Sequence, residues 1–292
     1  MSTLCRLLGV TRQAYYQHQW HAEFISIEED LVLEKIQDIR KNHARMGGRK
    51  LYEKLEPFFL EHKIKMGRDA LFDLLRYHGL LVQRKKKRIV TTHSSHWLRK
   101  YPNLIQGWNP KKSNQLWVSD ITYWKIETGH VYLSLITDAF SHKVVGYHVA
   151  NSLEAVETVK ALNMAIQNNK EKIESLIHHS DRGVQYCSSE YVKQLQKHKI
   201  KISMTQNGDP YENAIAERIN GILKQEYLEV LPVFSLQQAK DRLDFVIPLY
   251  NKDRPHMSIG NKTPEEVHEK NIKTKKLWKL KKFQKEKEEA LL

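Results

Sequence analysis

The sequence predicts an α/β protein: a mixed β-sheet core, preceded by an all-helical N-terminal region and followed by a helical, basic C-terminal region. Three observations carry this. The first 80 or so residues show only helical spacing of apolar positions, as in Leu31, Leu33, Ile36 and Ile39. From Gln115 the pattern changes to runs rich in Val, Ile, Tyr and Trp: LWVSDITYWKI, HVYLSLITDAF and KVVGYHVA. Short strands and helices then alternate until the chain becomes helical again after Leu236.

Taken in order, Ser2 to Trp20 reads as two short helices broken at Gly9-Val10, with Leu4, Leu7 and Leu8 on one face and Thr11 as N-cap of the second. That spacing suits a helix-turn-helix. Ile27 to His43 is expected as a separate amphipathic helix. A shorter helix carries Leu51, Leu55, Phe58 and Phe59 and is expected to be interrupted at Pro57; another spans Gly67 to His78, with Ala70, Leu71, Leu74 and Leu75 on one side and Gly79 as its stop. The basic run QRKKKR opens a polar linker reaching about Asn114 and is read as a candidate DNA contact through Lys85, Lys86 and Lys87.

The three β-type runs form an antiparallel meander, turning at Glu127–His130 and Phe140–His142. Leu153 to Asn169 is a helix, Leu176 to His179 a strand, Ser188 to about His198 a helix with Tyr191, Val192 and Leu195 inward, and Ile200 to Met204 a strand. The stretch QNGDPYENAIAERINGILKQEYL, Gln206 to Leu228, begins as a turn and continues as a helix. Helices at Leu236 to Tyr250 and from about Thr263 to the end complete the chain. The β-β-β-α-β-α-β-α order gives a mixed sheet with helices on both faces and is that of the RNase H-like fold. The corresponding regions are 1–82 (helical, helix-turn-helix-like, DNA-binding), 83–114 (basic linker), 115–228 (RNase H-like core) and 229–292 (helical, with a basic tail).

A length of 292 residues suits about two domains. The net charge of +14 points to polyanionic partners, with nucleic acid ahead of a membrane surface. No run approaches the roughly 18 apolar residues of a membrane span, and the N-terminus lacks the apolar stretch of a signal peptide. Cys5 and Cys187 make neither a disulfide framework nor a paired-cysteine zinc site, so a reduced, cytoplasmic protein is expected.

Three acids stand out. Asp120 interrupts an apolar strand, where a buried carboxylate needs partners. Asp181 follows the strand at Ser-Asp-Arg-Gly, and carboxyl ends of strands are where open sheets place their sites. Glu217 lies 36 positions after Asp181, on the next helix. Each alone reads as well as a solvated acid. Together, with the first and fourth strands adjacent, they form one carboxylate cluster, which divalent cations stabilise. Lys224, seven residues past Glu217, and Asn213, one turn before it, share its face and are candidate DNA contacts, as is Arg182 beside Asp181. His179 is read as a packing or hydrogen-bonding residue rather than a metal ligand. Asn207 and Tyr211 are candidates for shaping the loop before Glu217. Arg254 and His256 are candidates either for DNA contact or for fixing the turn after Tyr250. The tail KTKKLWKLKKFQKEK is read as a phosphate contact or a solvated tail.

WVSDITYW, HSDRGVQY and NGDPYENAIAERINGILKQEYL resemble the catalytic subunit of bacterial insertion-sequence-three family transposases, which share a retroviral-integrase-type core. That family's motif is two aspartates and a glutamate, the last two separated by 35 residues, with a basic residue seven after the glutamate; Asp120, Asp181, Glu217 and Lys224 match it. YNKDRPH, KTPEE, RMGGRKLYEKL and GRDALFDLLRYHGL extend the resemblance to about Arg45 to Val267. It implies a DNA transposase using two Mg²⁺ or Mn²⁺ ions held by Asp120, Asp181 and Glu217. Its reactions are hydrolysis at a 3′ end of the element and attack of the freed 3′-OH on another phosphodiester, with no covalent enzyme intermediate. It also implies duplex DNA as substrate, a homo-multimer on DNA, and a protein from an upstream reading frame as partner; this chain shows no zipper heptads of its own and no His/Cys zinc module. The competing readings are a non-catalytic DNA-binding regulator of the same fold and an RNase H-type nuclease.

Overall fold

The computed structural model describes residues 9, 11–83, 97–169, 175–206, 213–275 and 277, without the side chains of 18–26. The chain divides into two compact units, Met1–Lys85 and Lys86–Leu292.

In the first unit, α1 (Arg12–Asn42) is one continuous helix of 31 residues rather than two. No Gly or Pro lies between Arg12 and Asn42, so nothing in the sequence stops it. Thr11 caps it as expected, its Oγ1 accepting from the Ala14 amide at 3.1 Å. The first helix of the expected helix-turn-helix lies outside the described residues, as do Cys5 and Lys85, Lys86 and Lys87. The helix α2 (Gly48–Glu61) runs through Pro57 without interruption. Pro57 is exposed, while Leu51, Leu55 and Phe59 are buried at four-residue spacing; this apolar face outweighs the roughly 3 kcal/mol that an interior proline costs. A third helix, α3 (Arg68–Tyr77), ends before Gly79, whose φ of 64° is the left-handed conformation that stops helices. The unit's core joins Val32, Ile36, Met46, Leu51, Leu55, Leu71 and Leu75. Leu31 and Ala70, expected to face it, are exposed.

The second unit is built on a five-stranded sheet of order β3-β2-β1-β4-β5. The meander is β1 (Leu116–Ile126), β2 (Gly129–Asp138) and β3 (Val144–Ala150), paired antiparallel. After α4 (Ala155–Asn168), β4 (Ile177–Ser180) returns parallel to β1. A four-residue helix, α5 (Val184–Cys187), which the sequence pattern did not suggest, precedes α6 (Ser189–Lys197). Then β5 (Lys201–Met204) adds parallel to β4. One face of the sheet packs on α4 and α6 through Trp117, Ile136, Val145, Leu162 and Tyr191. Gly146 in β3 permits the close approach of α4, since a Cβ there would meet the Ala161 carbonyl oxygen at 2.3 Å.

The other face carries α7 (Ala214–Leu223), a π-helical turn (Lys224–Leu228) and α8 (Leu236–Asp253), through Trp124, Leu133, Ile219, Leu223, Tyr227 and Val246. The π-turn was not expected, and α8 runs past Tyr250, through Pro248, to Asp253. The helix α9 (Pro264–Lys270) starts at a Thr263–Glu266 capping box and stops at Asn271, whose φ is 48°, well short of the chain end. Of the basic tail, residues 276 and 278–292 lie outside the described residues.

Candidate active site

Because β1 and β4 are parallel neighbours in register, Asp120 and Asp181 occupy adjoining positions: Ser119 pairs with Ser180, Asp120 is the next residue of β1 and Asp181 is the first residue after β4. Adjacent strands lie about 4.8 Å apart. Asp181 leaves β4 in a tight turn, its Oδ1 accepting from the Gly183 amide at 2.9 Å. The turn needs a small residue, because a Cβ on Gly183 would sit 3.0 Å from that same oxygen.

Glu217 arrives from the other face of the sheet, on the first turn of α7. Two side chains on its helix face tie α7 to β1. Asn213, the N-cap residue, is buried and donates from Nδ2 to the Ser119 carbonyl at 3.0 Å. Asn220 is buried one turn beyond Glu217 and donates from Nδ2 to Asp120 Oδ2 at 2.7 Å. The spacing that singles out Glu217 and Lys224 also points to Asn220, which was missed because an uncharged amide carries no chemistry of its own.

The charges of Asp181 and Glu217 reach Asp120. The Asp120 carboxyl is raised to about 7, first by burial and then by the charges of Asp181 and Glu217; the hydrogen bonds from Asn220 and the Ile121 amide oppose the rise. Burial also raises Asp181, against the Gly183 hydrogen bond. A cluster that resists its own ionisation is one that a cation relieves. All the donors are carboxylate oxygens, the set preferred by Mg²⁺ and Mn²⁺. Among the described residues no three acidic, histidine or cysteine side chains are drawn close enough to form a closed metal cage. The acids are therefore within electrostatic reach of one another but not gathered into a finished coordination shell.

Beneath the aspartates lies a neutral hydrogen-bonded layer. The His178 ring nitrogen Nε2 meets Ser119 Oγ at 2.6 Å and the Tyr191 hydroxyl at 2.9 Å. Burial drives the His178 imidazole down to about 3, so it stays uncharged. His179 is fully buried and bonds Ser203 Oγ through Nδ1 at 2.8 Å, in keeping with a packing role.

The other candidates fall in different places. Lys224 opens the π-turn, half-buried, its Nζ donating to the Tyr123 carbonyl and to Thr122 Oγ1 at 3.4 Å, with Glu229 at 3.9 Å. It thus rests on β1 just beyond Asp120. Arg182 is half-buried beside Asp181. Arg254 is not placed to touch DNA: it is 1% exposed, donates twice to Glu226 at 2.8 and 2.7 Å, and lies over the Tyr250 ring. His256 is likewise buried, bridged to Lys262 and edge-on to His142 and Tyr250. These contacts suit the second of the roles that the sequence left open for them, holding the turn after α8. Asn207 and Tyr211 lie outside the described residues.

Two integrase core domain models match residues 110–210 and 198–264. The "Insertion element IS600 uncharacterized 31 kDa protein" of Shigella sonnei is 34% identical over 272 residues, covering 91% of this chain and 98% of its own. The "Transposase for insertion sequence element IS629" of the same organism is 30% identical, covering 90% of each. The "Transposase InsF for insertion sequence IS3A" of Escherichia coli K12 is 28% identical over 93% of this chain and 95% of that one. The chain belongs to the insertion-sequence-three transposase family.

Among solved structures, the HTLV-2 integrase catalytic core domain in complex with magnesium aligns at 23% identity and a TM-score of 0.44, over 54% of the transposase chain and 97% of its own. The simian T-cell lymphotropic virus intasome aligns at 18% identity and a TM-score of 0.47, over 80% of the transposase chain and 74% of its own. No helix among the described residues of the transposase is long and apolar enough to cross a membrane.

Proposed function

We propose that this chain catalyses divalent-metal-dependent cleavage at the 3′ ends of an insertion sequence and joins those ends to target DNA. The observation that carries the reading is that β1, the end of β4 and the first turn of α7 bring Asp181 and Glu217 within electrostatic reach of the half-buried Asp120, whose carboxyl their charges help to raise. In this reading Asp120, Asp181 and Glu217 are the ligands of two Mg²⁺ or Mn²⁺ ions. Such a pair would activate an attacking oxygen and stabilise the leaving one.

The chain's own residues do the rest. Asn220 holds Asp120 in orientation, and Asn213 anchors the start of the catalytic helix to β1. Gly183 fixes the Asp181 carboxylate as the chain leaves β4. Lys224 and Arg182 supply positive charge on either side of the acids for the DNA backbone. No side-chain nucleophile is needed, because water and then the element's 3′-OH are the attacking groups. The three carboxylates would hold the cations, and phosphate oxygens of the substrate would supply further ligands. The helical region 1–82, the basic run of the linker at Lys85, Lys86 and Lys87, and the basic tail grip duplex DNA outside the core. The working form is a homo-multimer on paired element ends in the bacterial cytoplasm, at the nucleoid, with the upstream-frame protein contributing to end recognition.

The purified chain, offered a labelled element-end duplex with Mg²⁺ or Mn²⁺, is expected to yield joined products. Binding without cleavage or joining, with the upstream protein present, would instead identify a regulator. Cleavage of an RNA–DNA hybrid without joining would identify a nuclease.

A further inference from the structure

The segment from Trp97 to Ile105 enters the second unit along the outer edge of the sheet. Met204 at the carboxyl end of β5 donates its amide to the Pro102 carbonyl at 3.3 Å, and Ser203 Oγ accepts from the Leu104 amide at 2.9 Å. Met204 is also in register with Ser180, the residue before Asp181. The strap therefore passes the same end of the sheet as the catalytic aspartates, with one strand between it and Asp181. At about 4.8 Å per strand this is a separation of roughly 10 Å.

The strap is held from below by apolar side chains. Leu98 and Tyr101 pack on the core beneath β5, and Ile105 packs with Leu116, Val118, Ala139 and Ala216. What it leaves outside is cationic and aromatic. Arg99 and Lys100 are exposed, and neither has a carboxylate partner among the described residues. The Arg99 guanidinium lies 5.3 Å from the centre of the Tyr101 ring, and Trp97 is 92% exposed. Covering the β5 edge explains the backbone bonds and the buried anchors. It does not explain two unpaired cations and an exposed indole. The Cys187 thiol, raised by burial and by the charge of Asp181, is pulled down by Lys100 and Arg182.

We infer that the Trp97–Leu104 strap is a DNA-binding arm of the catalytic centre, in which Arg99 and Lys100 take backbone phosphates next to the strand held at Asp181. The inference rests on the DNA-joining reading above. A nucleic acid fits better than an acidic protein surface because the arm sets the exposed Trp97 indole beside two cations, and an indole can stack on a base unpaired at the element end whereas carboxylates offer it nothing.

The test uses the full chain and a labelled element-end duplex titrated from 50 to 200 mM salt. Each phosphate contact contributes about 0.9 to the slope of log affinity against log salt. Arg99→Ala/Lys100→Ala is expected to lower that slope by about 2 and joining severalfold, with the melting temperature unchanged. Arg99→Lys, which keeps the charge, is expected to retain the slope. Unchanged slope and joining in the double alanine variant, beside a wild type that binds and joins, overturn the arm and leave the transposase reading standing. A change in self-association without a change in DNA affinity overturns it as well, in favour of a contact between copies. If the wild type itself neither binds nor joins DNA, the joining reading fails and the arm with it.

Discussion

At the scale of single residues, Asp120 is where fold and function pull in opposite directions. Its ordinary value is 3.8, and in the folded chain without metal it is raised to about 7. Between those values the folded state holds more protons than the unfolded state, so stability falls as pH rises through that window, and the loss is complete above it. The buried, neutral His178 works the other way between about pH 3 and 6.5, so the Asp120 contribution is read as a difference: in chelator the wild-type melting midpoint should fall relative to that of Asp120→Asn between about pH 4 and 7, and Mg²⁺ at pH 8 should stabilise the wild type more than the variant. Asn220 acts on the same carboxylate. Asn220→Ala removes its donor, and partners of this kind typically contribute ten- to a hundredfold in metal affinity. The Mg²⁺ concentration for half-maximal joining should rise about tenfold, with a matching loss of Mn²⁺ affinity in calorimetry; an unchanged affinity would make Asn220 a packing residue only.

At the scale of elements, the strands and the acids were legible because each announces itself locally. The meander shows as three β-rich runs between polar turns, and Glu217 sits at a fixed spacing from Asp181. The π-turn after Leu223 was not legible, because it depends on Arg254, 28 positions after Glu226. That buried, bidentate pair holds the far end of the catalytic helix and so sets where Lys224 lies on β1. Removing one partner strands the other charge, a loss of about 3–5 kcal/mol, whereas an apolar pair of similar volume is close to neutral. Urea titrations should show Arg254→Met strongly destabilised and Arg254→Met/Glu226→Met largely restored. A single variant as stable as the wild type would remove the clamp from the account. The unbroken α2 has the same lesson, since a local break signal gives way when an apolar face continues across it, whereas α1 runs on because no Gly or Pro interrupts it. For Gly146 the reverse holds. Its role depends on how near α4 lies, and Gly146→Ala should cost about 1–3 kcal/mol by overpacking against the Ala161 carbonyl, read in the same titrations.

At the scale of the whole molecule, the formal charge of +14 predicts duplex binding that weakens steeply with salt. Affinity should fall by at least tenfold between 50 and 200 mM salt, for element ends and unrelated duplexes alike. Charge alone, however, accounts for binding and not for reaction. The account stands on three acids from two strands and a helix forming one site, and strand transfer by single variants tests this most directly. Asp120→Asn, Asp181→Asn and Glu217→Gln are each compared with the wild type on an element-end duplex in Mg²⁺, with DNA affinity measured alongside. The expected result is DNA binding within a few-fold of wild type and joined product reduced at least a thousandfold in all three. Joined product persisting near the wild-type level in any one of them would contradict the account.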